Sequence, residues 1–228
     1  MARLIRSLAK PLTLTLTHQQ QCISRYLSRR TYISDMRKSA FEGNILRLLR
    51  SEIQYELRSS PPNTPVTKFN SFMVDGRAGE RWITLSRQYA DEDIKLEATM
   101  FDGAVPAPGK NGGVANSDEM EMHITLIVTI SKEQGGGGVL EIMCSAWPDS
   151  IEIKRLFFRA NEKIIAEPYA GPEFTELDDE LRDSLYDFLE VRGVSDELAV
   201  FLHQYMKYKD KAEFVGWMER VKSFIERK

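Results

Sequence analysis

The chain is expected to fold as an α+β protein, because its hydrophobic period changes twice along its length. A three- and four-residue period near residues 37–58 gives way to a period of two between Val66 and Phe158. From Phe174 onward the helical period returns. An N-terminal helix, a meander of strands and two C-terminal helices make an α+β fold.

The first helix is read from Phe41, Ile45, Leu48, Leu49, Ile53 and Leu57, which make a single apolar stripe. Ser39 with Glu42 forms a capping box if the helix starts there. Pro61 and Pro62 end it, since proline lacks the amide donor and clashes with the preceding turn. The runs Val66–Asp75 and Arg81–Tyr89 flank Gly76 and Gly79 as a hairpin. A third strand carries Ile94, Leu96, Ala98 and Met100, and the clearest carries Met122, Ile124, Leu126, Val128 and Ile130. Two more span Val139–Trp147 and Ile151–Phe158, with Pro148-Asp149 as the break. Six or seven strands with short connections imply an antiparallel sheet with one apolar face. Residues 102–119, with four glycines and two prolines, read as a surface excursion, and Gly135–Gly138 as a hairpin tip. That glycine run does not lead into Gly-Lys-Ser/Thr at a helix start, so it lacks the form of a phosphate loop.

Toward the C-terminus, Phe174, Leu177, Leu181, Leu185, Phe188 and Leu189 mark one amphipathic helix stopped by Gly193. A second starts near Ser195, a good N-cap, and carries Leu198, Phe201, Leu202 and Tyr205. It continues through a charged section, Lys207–Glu213, to Phe214, Trp217, Met218, Val221, Phe224 and Ile225.

The net charge of −3 averages over two unlike pieces. Residues 1–34 hold six of the 31 basic side chains and none of the 34 acidic ones, leaving 25 against 34, a net of −9. Arginine-rich, hydroxyl-rich and acid-free is the composition of an organelle transit peptide. Arg30-Thr31-Tyr32 resembles a matrix-processing site, so residues 1–32 are expected to be a cleaved mitochondrial presequence and residues 33–228 the mature matrix protein. No run approaches the roughly 18 apolar residues that suggest a bilayer span, so no integral membrane insertion is expected.

An acidic surplus disfavours simple phosphate-backbone binding and favours attraction to basic partners. The charge concentrates in residues 167–197, where eleven acids face only Arg182 and Arg192. Glu173, Glu176, Asp178, Asp179, Glu180, Asp183, Asp187 and Glu190 are the candidate partner-binding surface, for which a solvated helix face is the plain alternative. Reversing Asp178, Asp179 and Asp183 is expected to lose partner capture without unfolding. Ile45, Leu49, Phe214, Trp217, Val221 and Phe224 are core residues or, if left uncovered, helix-pairing and oligomer contacts. A basic face on the first helix, Arg37, Lys38, Arg47, Arg50 and Arg58, makes RNA a second candidate partner.

Catalysis has little to work with. After processing only His123, His203 and Cys144 remain as nucleophile or acid–base candidates, and no family signature surrounds them. Cys144 lies in an alternating apolar run, as a buried structural thiol would. No metal-ligand spacing occurs, so no catalytic residue, metal or cofactor is assigned.

One stretch is more specific than any of these patterns. Tyr169-Ala170-Gly171-Pro172, then Phe174, Leu177-Asp178 and Leu181, then Phe188-Leu189-Glu190-Val191-Arg192-Gly193-Val194 resembles the mitochondrial glycoprotein family, acidic matrix proteins that include the complement C1q globular-head-binding protein. Leu198-Ala199, Phe201-Leu202, Tyr205, Lys209-Asp210, Glu213-Phe214 and Trp217-Met218 continue the likeness. The resemblance implies a seven-stranded, twisted antiparallel sheet with one N-terminal and two C-terminal helices, in a ring-shaped homotrimer. It implies a non-catalytic scaffold or chaperone-like role in mitochondrial translation, ribosome function and oxidative phosphorylation. Mitochondrial ribosomal or respiratory-chain assembly proteins are the partners it suggests. The glycine-rich 102–119 segment departs from the long acidic loop of some relatives, which moves the strongest charge to 167–197.

Overall fold

A computed structural model describes residues 16–59, 66–106, 120–132, 138–159, 169 and 171–227. The element order is α1 (Leu16–Ser59), β1 (Lys68–Phe69), β2 (Phe72–Asp75), β3 (Trp82–Tyr89), β4 (Glu92–Pro106), β5 (Met120–Lys132), β6 (Val139–Ala146), β7 (Ile151–Arg159), a 3₁₀ turn (Phe174–Glu176), α2 (Asp179–Glu190) and α3 (Asp196–Glu226). All seven strands form one antiparallel sheet in sequence order, β1 to β7.

The chain divides into two units. One comprises α1 up to Tyr55 together with the chain from Met218 onward, and the other spans Glu56–Trp217. In the first, Ile53 and Met218 are buried, and Arg50 donates to Glu226 at 2.7 Å. Phe41, Leu48, Tyr55 and Phe224 of this unit stay exposed.

The second unit contains the sheet and its core. Ile83, Leu85, Ile94, Leu96, Ala98, Ile124, Leu126, Val128, Ile142, Cys144 and Ile153 alternate onto one sheet face. Leu189 of α2 and Leu198, Ala199, Leu202 and Met206 of α3 complete the same cluster. Burial of this period-two face against a three-four helical stripe is what the change of period requires, at about 1.5–3 kcal/mol per large apolar side chain.

Several boundaries differ from the sequence reading. Helix α1 begins at Leu16, so Ser39 and Glu42 lie mid-helix and do not act as a capping box. Nothing between Pro11 and Gly43 breaks a helix, and Arg, Gln and Leu favour one. Residues 1–15 of the expected presequence lie outside the described residues. The run Val66–Asp75 is two strands, turned at Asn70, whose φ of 48° lies in the left-handed region that Asn tolerates. Strand β4 extends to Pro106, taking in the first part of the expected surface excursion, while 107–119 and 133–137 lie outside the described residues.

That extension depends on two β-bulges. The register between β4 and β5 shifts between Ala98 and Phe101 and again between Phe101 and Gly103. Thr99 Oγ1 accepts the Thr125 N–H at 3.2 Å and donates to Asp102 at 2.8 Å, replacing ladder bonds that the first bulge removes.

The expected helix from Phe174 also starts later. Phe174–Glu176 form the 3₁₀ turn, and Asp178 caps α2 by accepting the Glu180 N–H at 3.0 Å. Phe174 itself is buried, edge-on to Tyr186 at 5.5 Å. Gly193 ends the helix as expected: its φ is +84°, and Val194 N–H reaches back to Leu189 O at 3.0 Å. A Cβ there would lie 2.7 Å from Arg87 Nη1 and 3.1 Å from the Phe72 ring. Gly193→Ala is therefore expected to cost on the order of 2 kcal/mol, from both the left-handed backbone and the displaced guanidinium. Thermal unfolding followed by circular dichroism should show a fall of roughly 4–8 °C.

Candidate functional site: the acidic helix and its surroundings

The eight nominated carboxylates occupy the 3₁₀ turn, α2 and the residues flanking them, and all eight are exposed. Three have structural partners: Glu173 pairs with Arg155, Asp179 with Arg182, and Asp178 caps α2. Asp183, Asp187 and Glu190 continue the line of Asp179 along one strip of the helix at steps of four, four and three residues.

The solvated-face alternative explains only part of this strip. Acids near a helix N-terminus are stabilised by the unpaired N–H groups there, which accounts for Asp178, Asp179 and Glu180. Asp187 and Glu190 sit at the opposite end, where the helix dipole repels anions and the last turn has no basic residue. Like charges four residues apart also cost about 0.2–0.5 kcal/mol per pair. The strip is held against the electrostatics of its own helix.

The two bases in the segment do little to offset it. Arg182 is held by Asp179, its guanidinium kept protonated well above the ordinary arginine range chiefly by that bond. Arg192 turns inward, leaving only 12% of its side chain exposed. Its Nε and Nη2 donate to the two oxygens of Glu92 at 2.8 and 3.0 Å, and Nη1 donates to Phe188 O at 2.9 Å. The guanidinium lies 3.5 Å from the Phe188 ring centroid and 5.4 Å from that of Tyr89. Arg87 extends the stack, 5.2 Å from Tyr89 and 5.3 Å from Phe72, and donates to Arg192 O at 2.9 Å. Glu92 is buried, and the Arg192 hydrogen bonds hold its carboxyl below the usual range. Asp196 is likewise structural, accepting the Ile151 N–H at 3.1 Å.

The nominated apolar residues divide. Phe214 and Trp217 stack 6.1 Å apart on α3 and are both exposed, as are Phe224 and Ile45. Leu49 and Val221 are half-buried. Core packing therefore does not explain the stripe in a single chain. The candidate basic face is partly committed already: Lys38 pairs with Glu42, Arg47 donates to Asn44 and Arg50 to Glu226.

The acid–base candidates are separated by burial. Burial pushes the Cys144 thiol up to about 12, so it is not a thiolate at neutral pH. His203 is buried, and its Nε2–H donates to Ala146 O at 3.0 Å, because a carbonyl can only accept. Desolvation lowers its pKa, so the fold holds it neutral. The unfolded chain then takes up the proton first, and stability present above the unfolded value near 6.5 should be lost progressively as pH falls from there toward the lower folded value. Denaturant unfolding between pH 7.5 and 5.5 should show this slope, reduced in His203→Gln. His123 lies half-buried on the opposite sheet face, Nδ1 3.4 Å from Asp102 and its ring 5.1 Å from Trp147. Among the described residues no group of three or more His, Cys, Asp or Glu could hold a metal, and no helix is long and apolar enough to cross a membrane.

Seven antiparallel strands in sequence order, with one helix before and two after, define an α+β fold seen in solved structures. The Trypanosoma brucei p22 protein matches with a TM-score of 0.66 at 22% identity, over 81% of this chain and 98% of that one. A Leishmania major protein of unknown function, described as a sequence homologue of human p32, matches with a TM-score of 0.64 at 18% identity, over 81% and 99%. The chain belongs to the mitochondrial glycoprotein family, whose model matches residues 49–225. It is 31% identical to an uncharacterized mitochondrial protein of Arabidopsis thaliana, covering 90% of this chain and 82% of that one. It is 25% identical to the mitochondrial acidic protein mam33 of Schizosaccharomyces pombe, covering 86% and 84%.

Proposed function

We propose that this chain is a non-catalytic acidic binding protein of the mitochondrial matrix that gathers basic protein segments. Residues 1–32 serve as its cleaved presequence, and the mature chain works as a homotrimer supporting mitochondrial gene expression, ribosome function and oxidative phosphorylation. The observation that carries this reading is the exposed strip Asp183, Asp187 and Glu190, whose last two members are opposed by the dipole of their own helix. The acidic mam33 relative is consistent with it. The exposed Ile45, Phe214, Trp217 and Phe224 support self-association. A trimer repeats the strip three times and raises affinity for a multivalent basic partner without new contacts.

The test is fluorescence anisotropy of a labelled lysine- and arginine-rich peptide titrated with the purified chain. Binding should be saturable and should weaken by about tenfold or more between 50 and 300 mM salt, as screening of exposed charges requires. Light scattering should give a three-chain mass at both salt concentrations. Peptide binding that ignores salt would contradict the acidic surface, and a monomeric mass would remove the multivalent part. If single-stranded RNA binds where the basic peptide does not, the first-helix arginines and lysine become the relevant face.

A further inference from the structure

A cavity of about 470 Å³ lies between the β2–β3 turn and α3, within the unit that holds the sheet. Val66, Ala78, Phe201, Tyr205, Tyr208 and Ala212 give it largely apolar walls. One wall is braced: Phe201 stacks on Phe69 at 4.2 Å and contacts the Tyr205 ring at 5.7 Å. Gly76 lets that wall close, because a Cβ there would lie 2.2 Å from Tyr205 Oη. Lys209 and Glu213 fasten the turn to the helix. Lys209 Nζ donates to Arg77 O at 2.8 Å and to Glu213 at 3.0 Å, while the Gly79 N–H donates to both Glu213 oxygens at 2.8 Å.

Two hydrogen-bonding groups on this lining are not used up. An ammonium carries three N–H donors, and Lys209, buried, uses two of them. Tyr205 Oη, half-buried, makes no hydrogen bond among the described residues. The lining is also charge-balanced. A carboxylate brought to Lys209 would approach the Glu213 carboxylate, and a cation would approach the Lys209 ammonium. We propose that the cavity binds an uncharged, mainly apolar small molecule that carries one hydrogen-bond-accepting oxygen. Tyr205 donates to that oxygen, and the aromatic wall covers its apolar body. The volume lies in the range of roughly 300–1,000 Å³ found for small-molecule pockets.

The probe is 6-propionyl-2-(dimethylamino)naphthalene, a neutral ketone whose emission moves to the blue in apolar surroundings. Titrated with the full chain, it should show saturable, blue-shifted emission with one site per chain. Ala212→Trp and Ala78→Trp, small residues at the exposed rim, should each weaken it by about tenfold or more with unchanged circular dichroism. Tyr205→Phe deletes a single oxygen and carries the test if either tryptophan variant fails to fold. It should weaken binding by roughly threefold to tenfold, as loss of one hydrogen bond would. Non-saturable binding, or parent affinity in every folded variant, would overturn the site. Anionic 8-anilinonaphthalene-1-sulfonate should compete poorly, and equal competition would overturn the preference for an uncharged ligand.

Discussion

Arg192→Ala is expected to destabilise the fold by about 3–5 kcal/mol, the usual result of leaving one member of a buried pair without its partner. Glu92 would remain buried, with only the largely exposed Lys132 nearby at 3.6 Å. Arg192→Ala also removes the cation from between the Phe188 and Tyr89 rings and the donor that holds Phe188 O. Thermal melts should fall by roughly 6–20 °C for a chain of this size. The double variant Arg192→Met with Glu92→Leu should recover most of that loss, because apolar replacement of both partners of a buried pair is often neutral or stabilising. A fall under 1 kcal/mol in the single variant would mean that the pair is solvated and does not fix the end of α2. The pH dependence has a definite sign. Glu92 has a depressed folded pKa, so its contribution is present above the unfolded value near 4.5 and is lost as pH falls below it.

This pair also shows where sequence reasoning stops. The Arg-Gly step was visible as part of a motif, and Gly193 as a helix stop. That Arg192 turns inward was not visible, because its partner Glu92 lies a hundred residues away and looks like any polar strand residue. Lys209 was similarly hidden. In the charged run Lys207–Glu213 it reads as solvated, yet it is buried against the β2–β3 turn. Local alternation did better: Ile124, Leu126, Val128 and Ile130 face the core because a period of two leaves them no other face. The bulges before Gly103 changed which β4 residues stay paired, and no periodicity announces an inserted residue. The acidic positions were legible one by one. The stop at Gly193 already put Asp187 and Glu190 at the negative end of the helix, while the later start at Asp179 showed Asp178 to be its cap.

That geometry changes which substitutions test the binding surface. Reversing Asp178 or Asp179 would remove the cap of α2 or the Arg182 pair, so lost binding could reflect a frayed helix. Asp183→Lys, Asp187→Lys and Glu190→Lys remove no helix cap and no ion pair. Among the described residues none of the three has a salt-bridge partner, and at Asp187 and Glu190 a cation near the helix C-terminus is favourable by about 0.3–1 kcal/mol each, which offsets the charge reversal at Asp183 beside Arg182. The triple variant should therefore melt at or slightly above the parent temperature while losing salt-dependent capture of the basic peptide by about a hundredfold. That figure follows if each reversal removes roughly 1 kcal/mol of attraction to the peptide at low salt, since 1.4 kcal/mol is a tenfold change in affinity. Functional sites often carry unfavourable electrostatics that stability alone would remove, so lost binding with retained or raised stability separates a functional strip from a solvated one. If the triple variant binds the peptide as the parent does, the strip serves only solubility. A marked loss of stability would show instead that the three acids have folding partners in the assembled protein.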